Sequence, residues 1–200
     1  ILLEAQKNAK FKEVLNKSSL SIADGTGILL AARYLKKRLP CRVTGVDLMQ
    51  KICEKSVHEN LKIFLLGAKE GVAEKTKEIL EKKYNGLKIV GTHAGSPQEF
   101  EERQITGLIN ESGAEILFVA YGAPAQELWI HRNLHKMPKV KVAIGIGGAF
   151  DFISGTRKRA PKLMRKIGLE WLYRLFQEPS RIKRIYNATI KFPIKVLKNK

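Results

Sequence analysis

The sequence predicts an α/β fold: a Rossmann-like, mostly parallel sheet with helices on both faces, followed by a basic helical C-terminal appendage. Three observations predict it. Between residues 63 and 144, short β-rich runs alternate with helix-patterned stretches, the order that gives a parallel sheet with helical crossovers. Each run ends in a glycine-bearing turn, at Gly67, Gly91-Thr-His-Ala-Gly95, Tyr121-Gly-Ala-Pro124 and Gly145-Ile-Gly-Gly148. Ligands of such sheets sit at the carboxyl ends of the strands, where these turns fall. Finally, the stretch from Arg157 to Lys200 holds 14 Lys/Arg against two acids, Glu170 and Glu178, whereas the other 156 residues carry a net charge of only +6.

In chain order, residues 1–16 read as an amphipathic helix, with Leu2, Leu3, Ala5, Ala9, Val14 and Leu15 among polar residues. A chain of this class usually begins with a strand, so a first strand and its loop are expected to be missing. Leu20–Ala23 is a short strand candidate, and Asp24-Gly-Thr-Gly27 is a turn able to cap a helix over 28–38, ended by Pro40. An extended piece at 42–44 leads through Gly45-Val-Asp47 into a helix over 48–60. The repeated units follow: strand 63–66 and helix 72–83; strand 87–90 and helix 98–112; strand 116–119 and a helix to His135; then a strand over 140–144. Residues 1–155 are the expected α/β core, and 156–200 the basic amphipathic appendage.

Two hundred residues suffice for one sizeable core. A net charge of +18 concentrated in the tail predicts a dedicated edge for polyanions: nucleic acid, anionic lipid or phosphorylated small molecules. Cys41 and Cys53 lack metal-ligand or redox spacing, which favours a reducing compartment. No apolar run approaches the roughly 20 residues that span a bilayer, so membrane contact is expected to be peripheral.

No metal constellation stands out: His131 and His135 lie at i,i+4 but lack the Glu of the zinc-protease pattern. Gly-x-Ser-x-Gly and the Gly-Lys-Ser/Thr phosphate loop are both absent. Gly145, Gly147 and Gly148 can expose N–H groups to an anion, or simply make a tight turn. Asp47 either caps its helix or serves as a general base at the sheet edge, with Asp24 and Asp151 as rivals for that role. Gln126, with Glu127 at a helix start after Pro124, can hydrogen-bond a base, sugar or phosphate, or belong to ordinary N-terminal helix chemistry.

Taken in order, the motifs resemble the WecG/TagA/CpsF glycosyltransferase family. They are Ala23-Asp-Gly25, Arg42-Val-Thr-Gly-Val-Asp47, Val90-Gly-Thr-His93, Ala114-Glu-Ile-Leu-Phe-Val119 and Gly122-Ala-Pro-Ala-Gln-Glu-Leu-Trp129. Gly145-Ile-Gly-Gly-Ala-Phe-Asp-Phe152, Arg159-Ala-Pro161, Gly168-Leu-Glu-Trp-Leu-Tyr-Arg174 and Gln177-Glu-Pro179 complete the set. The resemblance runs to about Tyr186. Departures are Ala125, where a Lys is common, Ala-Gly-Ser-Pro after Thr92-His93, and Tyr121 where a smaller residue is usual.

The resemblance implies an inverting transfer, without metal or other cofactor, of an N-acetylmannosamine-type sugar from a UDP donor to undecaprenyl-pyrophosphate-linked GlcNAc. Within the family, the fit is to the branch that makes the β-1,4-linked disaccharide of the wall teichoic acid linkage unit. It maps the base onto Asp47 and polar pocket residues onto Thr44, Gln126, Gly145, Gly147 and Gly148; Asp24, His93 and Asp151, which fall within the matching motifs, are expected as further substrate contacts. Arg174, Arg181 or Arg184 is expected to stabilise the leaving diphosphate. Leu163, Ile167, Trp171 and Leu175 mark one helical face. With Lys162, Arg165, Lys166, Lys183, Lys191 and Lys195 they predict peripheral docking on an anionic membrane at its cytoplasmic face. The tail and an exposed sheet edge also offer surfaces for a homo-oligomer. Rival readings are a family member using UDP-ManNAcA or UDP-glucose, and a basic nucleic-acid-binding module; the latter lacks any helix-turn-helix, zinc-finger or RNP signature.

Overall fold

The computed structural model describes residues 1–161, 163–164 and 168–198, and the side chains of Arg174, Arg181 and Arg184 also lie outside the description. Lys162, Arg165, Lys166 and Ile167 therefore fall outside the described residues. The chain forms two compact units: residues 1–19 with 45–157, and residues 20–44 with 158–200. The expected boundary near 155 separated the tail but placed residues 20–44 in the core. The structure instead packs them with the C-terminal stretch.

The first unit is built on four parallel strands, β1 (Lys62–Gly67), β2 (Lys88–His93), β3 (Ile116–Ala120) and β4 (Val142–Gly145), in the order β2-β1-β3-β4. Alternation along the strands divides the core. Ile63, Leu65, Ile116 and Phe118 face one layer, with Met49 and Cys53 of α4 (Gly45–His58), Leu80 of α5 (Val72–Lys83) and Phe150 of α8 (Ala149–Ile153). Phe64, Leu66, Leu117 and Val119 face the other, with Ile105 and Ile109 of α6 (Glu102–Ser112) and Trp129 of α7 (Ala125–Asn133). Strands apolar on both faces are what a sheet covered on both sides requires. At the N-terminal end, α1 (Leu2–Ala5) leads to α2 (Ala9–Lys17), where Asn8 Oδ1 accepts from the Phe11 N–H at 2.9 Å and Phe11 is fully buried.

The second unit holds α3 (Thr26–Tyr34), α9 (Glu170–Gln177), α10 (Ile182–Tyr186) and α11 (Phe192–Lys198). Leu20–Ala23 does not form the expected strand. Its backbone is held otherwise: the Val43 N–H donates to the Ala23 carbonyl at 3.0 Å, and Arg42 Nε donates to the Asp24 carbonyl at 2.6 Å. The single helical face expected from Leu163 through Leu175 is interrupted as well. Gly168 turns the chain at φ +79°, and α9 starts afresh at Glu170. Leu163 and Trp171 are exposed, whereas Leu175 is half-buried.

Candidate active site

In the first unit, the carboxyl ends of the four strands gather the glycine turns. Sheet order reverses between β1 and β3, the position where open α/β sheets bind ligands. Gly67, at φ +97°, closes β1 so tightly that a Cβ there would lie 2.9 Å from the Ala120 backbone. Ala68 follows at φ +69°, and its N–H donates to the Ala120 carbonyl at 3.3 Å. The turn from Gly67 to Gly71, running into α5, therefore belongs to this edge. The sequence placed Gly67 at this edge but marked no site residue in the turn, although its Gly-x-x-x-Gly spacing between a strand and a helix was the available signal.

Gln126 organises the neighbouring loops. It is 4% exposed, and its Oε1 accepts from the Gly122 and Gly147 N–H groups, each at 3.0 Å. Its Nε2 donates to Glu127 Oε1 at 2.8 Å. A Cβ on Gly145 would meet Gln126 Nε2 at 2.6 Å, so the residue at 145 must be glycine for the amide to lie there. In this arrangement the Gly147 N–H donates to Gln126, and the Gln126 carbonyl oxygen accepts from two backbone groups. Gln126 thus positions the β3 and β4 turns.

Asp47 sits exposed in the first turn of α4. Gly45, at the start of that helix, is packed so closely on the β4 turn that a Cβ would fall 3.0 Å from the Ile146 carbonyl oxygen. The absence of a side chain at 45 sets the Asp47 turn beside Gly145–Gly148. Asp151 lies in the first turn of α8, with Oδ2 3.4 Å from Arg157 Nε and its carbonyl accepting from the Arg157 N–H at 2.9 Å.

His93 ends β2, its ring lying over Gly95, where a Cβ would come within 2.8 Å of Cδ2. The loop beyond is fixed from below: the Ser96 N–H donates to Glu101 Oε2 at 2.9 Å and Arg132 Nη2 to the Pro97 carbonyl at 3.0 Å. Arg132 in turn binds Glu102 Oε1 at 2.7 Å, and Lys136 binds Glu102 Oε2 at 3.2 Å. Burial raises the Glu102 pKa, but hydrogen bonds from Asn133, Arg132 and Lys136 outweigh it and hold the carboxyl below its ordinary range. Tyr121 packs edge-on against Trp129, ring centroids 6.1 Å apart, and burial pushes its hydroxyl pKa up.

In the second unit, Arg159 Nη2 donates to Thr44 Oγ1 at 3.0 Å, while Arg42 Nη2 lies 2.9 Å from Glu170 Oε2 and 3.9 Å from Asp24 Oδ1. Thr44 and Asp24 are thereby each tied to an arginine. Arg159, Arg42 and Glu170 lie in the family motifs, but their pairings were not visible in the sequence, since 115 and 128 residues separate the partners. Among the described residues, no group of three His, Cys, Asp or Glu side chains could hold a metal ion.

A family model described as "Glycosyl transferase WecG/TagA/CpsF family" matches residues 1–200. The chain belongs to the WecG/TagA/CpsF family of glycosyl transferases. The WecG/TagA/CpsF chain is 33% identical over 196 residues to a Bacillus spizizenii strain W23 protein, covering 98% of this chain and 75% of that one. It is 35% identical over 198 residues to one from Bacillus subtilis strain 168, covering 99% and 76%. Both relatives carry the name N-acetylglucosaminyldiphosphoundecaprenol N-acetyl-beta-D-mannosaminyltransferase. Of the residues that the family resemblance marks, the first unit brings Asp47, His93, Gln126, Gly145, Gly147, Gly148 and Asp151 to the carboxyl edge of one sheet. Asp24 and Thr44 belong to the second unit, as do Arg174, Arg181 and Arg184, whose side chains lie outside the description.

Proposed function

We propose that the chain transfers N-acetylmannosamine from UDP-ManNAc to undecaprenyl-pyrophosphate-linked GlcNAc, forming the β-1,4 disaccharide of the wall teichoic acid linkage unit. The observation that carries the site assignment is the fit of Gly45 against the Ile146 carbonyl, which brings the Asp47 turn to the glycine turn after β4. Asp47 takes the proton of the acceptor 4-hydroxyl as that oxygen attacks C1 of the donor. The bond from C1 to the β-phosphate oxygen breaks, and UDP departs from the opposite face with inversion.

Charge develops on the departing β-phosphate and calls for N–H donors or cations. Because Gly147 is committed to Gln126, the turn itself offers fewer donors than its glycine count suggests. A guanidinium from Arg174, Arg181 or Arg184 supplies the remainder, a role that rests on the family resemblance. The acceptor's lipid stays in the bilayer, so the protein works as a peripheral enzyme at the cytoplasmic membrane face. Among the described residues, no helix is long and apolar enough to cross a membrane.

The test offers the purified protein UDP-ManNAc, UDP-ManNAcA and UDP-glucose with a short-chain lipid-linked GlcNAc and reads product mass. A disaccharide mass from UDP-ManNAc is expected. Product from either other donor alone would move the protein to a different branch of the family.

A further inference from the structure

The first turn of α3 is where that helix meets the C-terminal stretch. Thr26 packs on the Gly168 turn, 3.0 Å from where a Cβ there would lie, and a Cβ on Gly27 would be 3.6 Å from the Ala188 carbonyl. Leu30, Arg33 and Tyr34 continue along the same side of the helix, at i+4, i+7 and i+8 from Thr26. There the cover ends: Leu30 is 68% exposed and Tyr34 43%. The C-terminal helices behave alike. Ile182, Tyr186, Ile190, Ile194 and Leu197 recur every three or four residues as one stripe, and each is between 46% and 64% exposed. Lys183 and Lys191 lie exposed among them.

Two adjoining elements that both turn apolar side chains outward form a surface that water disfavours. Its charge says what covers it. Residues 25–46 contain no acid, and Arg33, Lys36, Lys37 and Arg38 are all exposed. A second copy of the chain would set this cationic rim against itself, because a two-fold interface pairs like with like. An anionic bilayer offers an apolar interior beneath negative headgroups, which fits both properties at once.

We propose that α3 is part of the bilayer-docking surface: Leu30 and Tyr34 enter the acyl boundary beside the 182–197 stripe, and Arg33, Lys36, Lys37 and Arg38 meet anionic headgroups. The inference rests on the reading of the acceptor as a membrane lipid, and extends docking from the C-terminal stretch to residues 30–38.

The test sediments the full chain and its Leu30→Ser/Tyr34→Ser variant with vesicles of equal parts phosphatidylglycerol and phosphatidylcholine. Vesicle affinity of the variant is expected to fall about tenfold, with turnover on a soluble acceptor analogue unchanged. Equal affinities overturn the proposal, as does a lipid-free wild-type dimer that the double variant converts to monomer. A direct measurement guards against a misfolded variant. Tyr34→Cys, carrying an environment-sensitive fluorophore in a Cys41→Ser background (Cys41 being exposed), is expected to shift its emission to the blue on vesicles. No shift overturns the proposal. Vesicle binding through these residues by a chain that transfers no sugar would leave the docking surface standing and remove the transferase reading.

Discussion

Gln126 Oε1 accepts a hydrogen bond from the Gly147 N–H at 3.0 Å, so a side chain on α7 holds the turn that follows β4. The same oxygen holds Gly122 after β3. Removing it leaves two N–H groups without that acceptor and releases two turns of the candidate site. Gln126→Ala is expected to lower kcat/KM for the sugar donor about a hundredfold while the protein keeps its far-ultraviolet circular dichroism. Activity within twofold of wild type would show that the two turns hold themselves.

Asp47→Asn keeps the size and polarity of the side chain but cannot take a proton. Turnover is expected to fall about 10²- to 10⁴-fold, with UDP affinity, read by calorimetry, nearly unchanged. Asp24→Asn and Asp151→Asn, assayed in parallel, separate Asp47 from its two rivals. A larger loss in either would reassign the base.

Gly67→Ala places a Cβ 2.9 Å from the Ala120 backbone at a φ of +97°. The strain is expected to destabilise the fold by about 2 kcal/mol, visible as a lower urea midpoint with an unaltered m-value.

Glu102 is nearly buried and holds Arg132 and Lys136. Glu102→Gln is expected to cost about 2 to 3 kcal/mol at neutral pH. A carboxyl whose folded pKa is lowered stabilises above its ordinary value of 4.5 and loses that contribution as pH falls through the folded value. The gap between wild type and variant therefore closes in acid. Denaturant curves at neutral pH and well below pH 4.5 read both.

Arg174→Ala, Arg181→Ala and Arg184→Ala separate catalysis from anchoring. At least one is expected to lower kcat on a soluble acceptor analogue about a hundredfold, while each shifts vesicle affinity by no more than about fivefold. Full activity in all three would leave the diphosphate to backbone donors.

The repeated α/β units were legible because their signals are local. Ile63–Leu66 and Ile116–Val119 are unbroken apolar runs, each ended by a small residue or glycine, and the helix over 72–83 matches its apolar spacing residue for residue. Asp47 could be marked because it follows Gly45, yet nothing local says that Gly45 touches Ile146. The role of Gln126 was hidden for the same reason, since its partner lies 21 residues further on. Leu20–Ala23 was misread because Leu-Ser-Ile-Ala alternates like a strand, whereas its fate is decided by Arg42, which binds the Asp24 carbonyl and pairs with Glu170, 128 residues further on. The stripe from Ile182 to Leu197 was readable at i,i+4, but the density of Lys and Arg around it drew attention to charge alone.

The union of residues 20–44 with 158–200 also sets an order of events during synthesis. Thr26 and Arg42 leave the ribosome long before Gly168 and Glu170 exist. While the sheet is being completed strand by strand, the 20–44 segment waits without its partners, and its apolar side chains stand open to chaperones. The second unit closes after residues 158–200 have emerged. Nascent chains halted before residue 158 should therefore carry a protease-sensitive N-terminal segment, which becomes resistant once the rest of the chain has been translated.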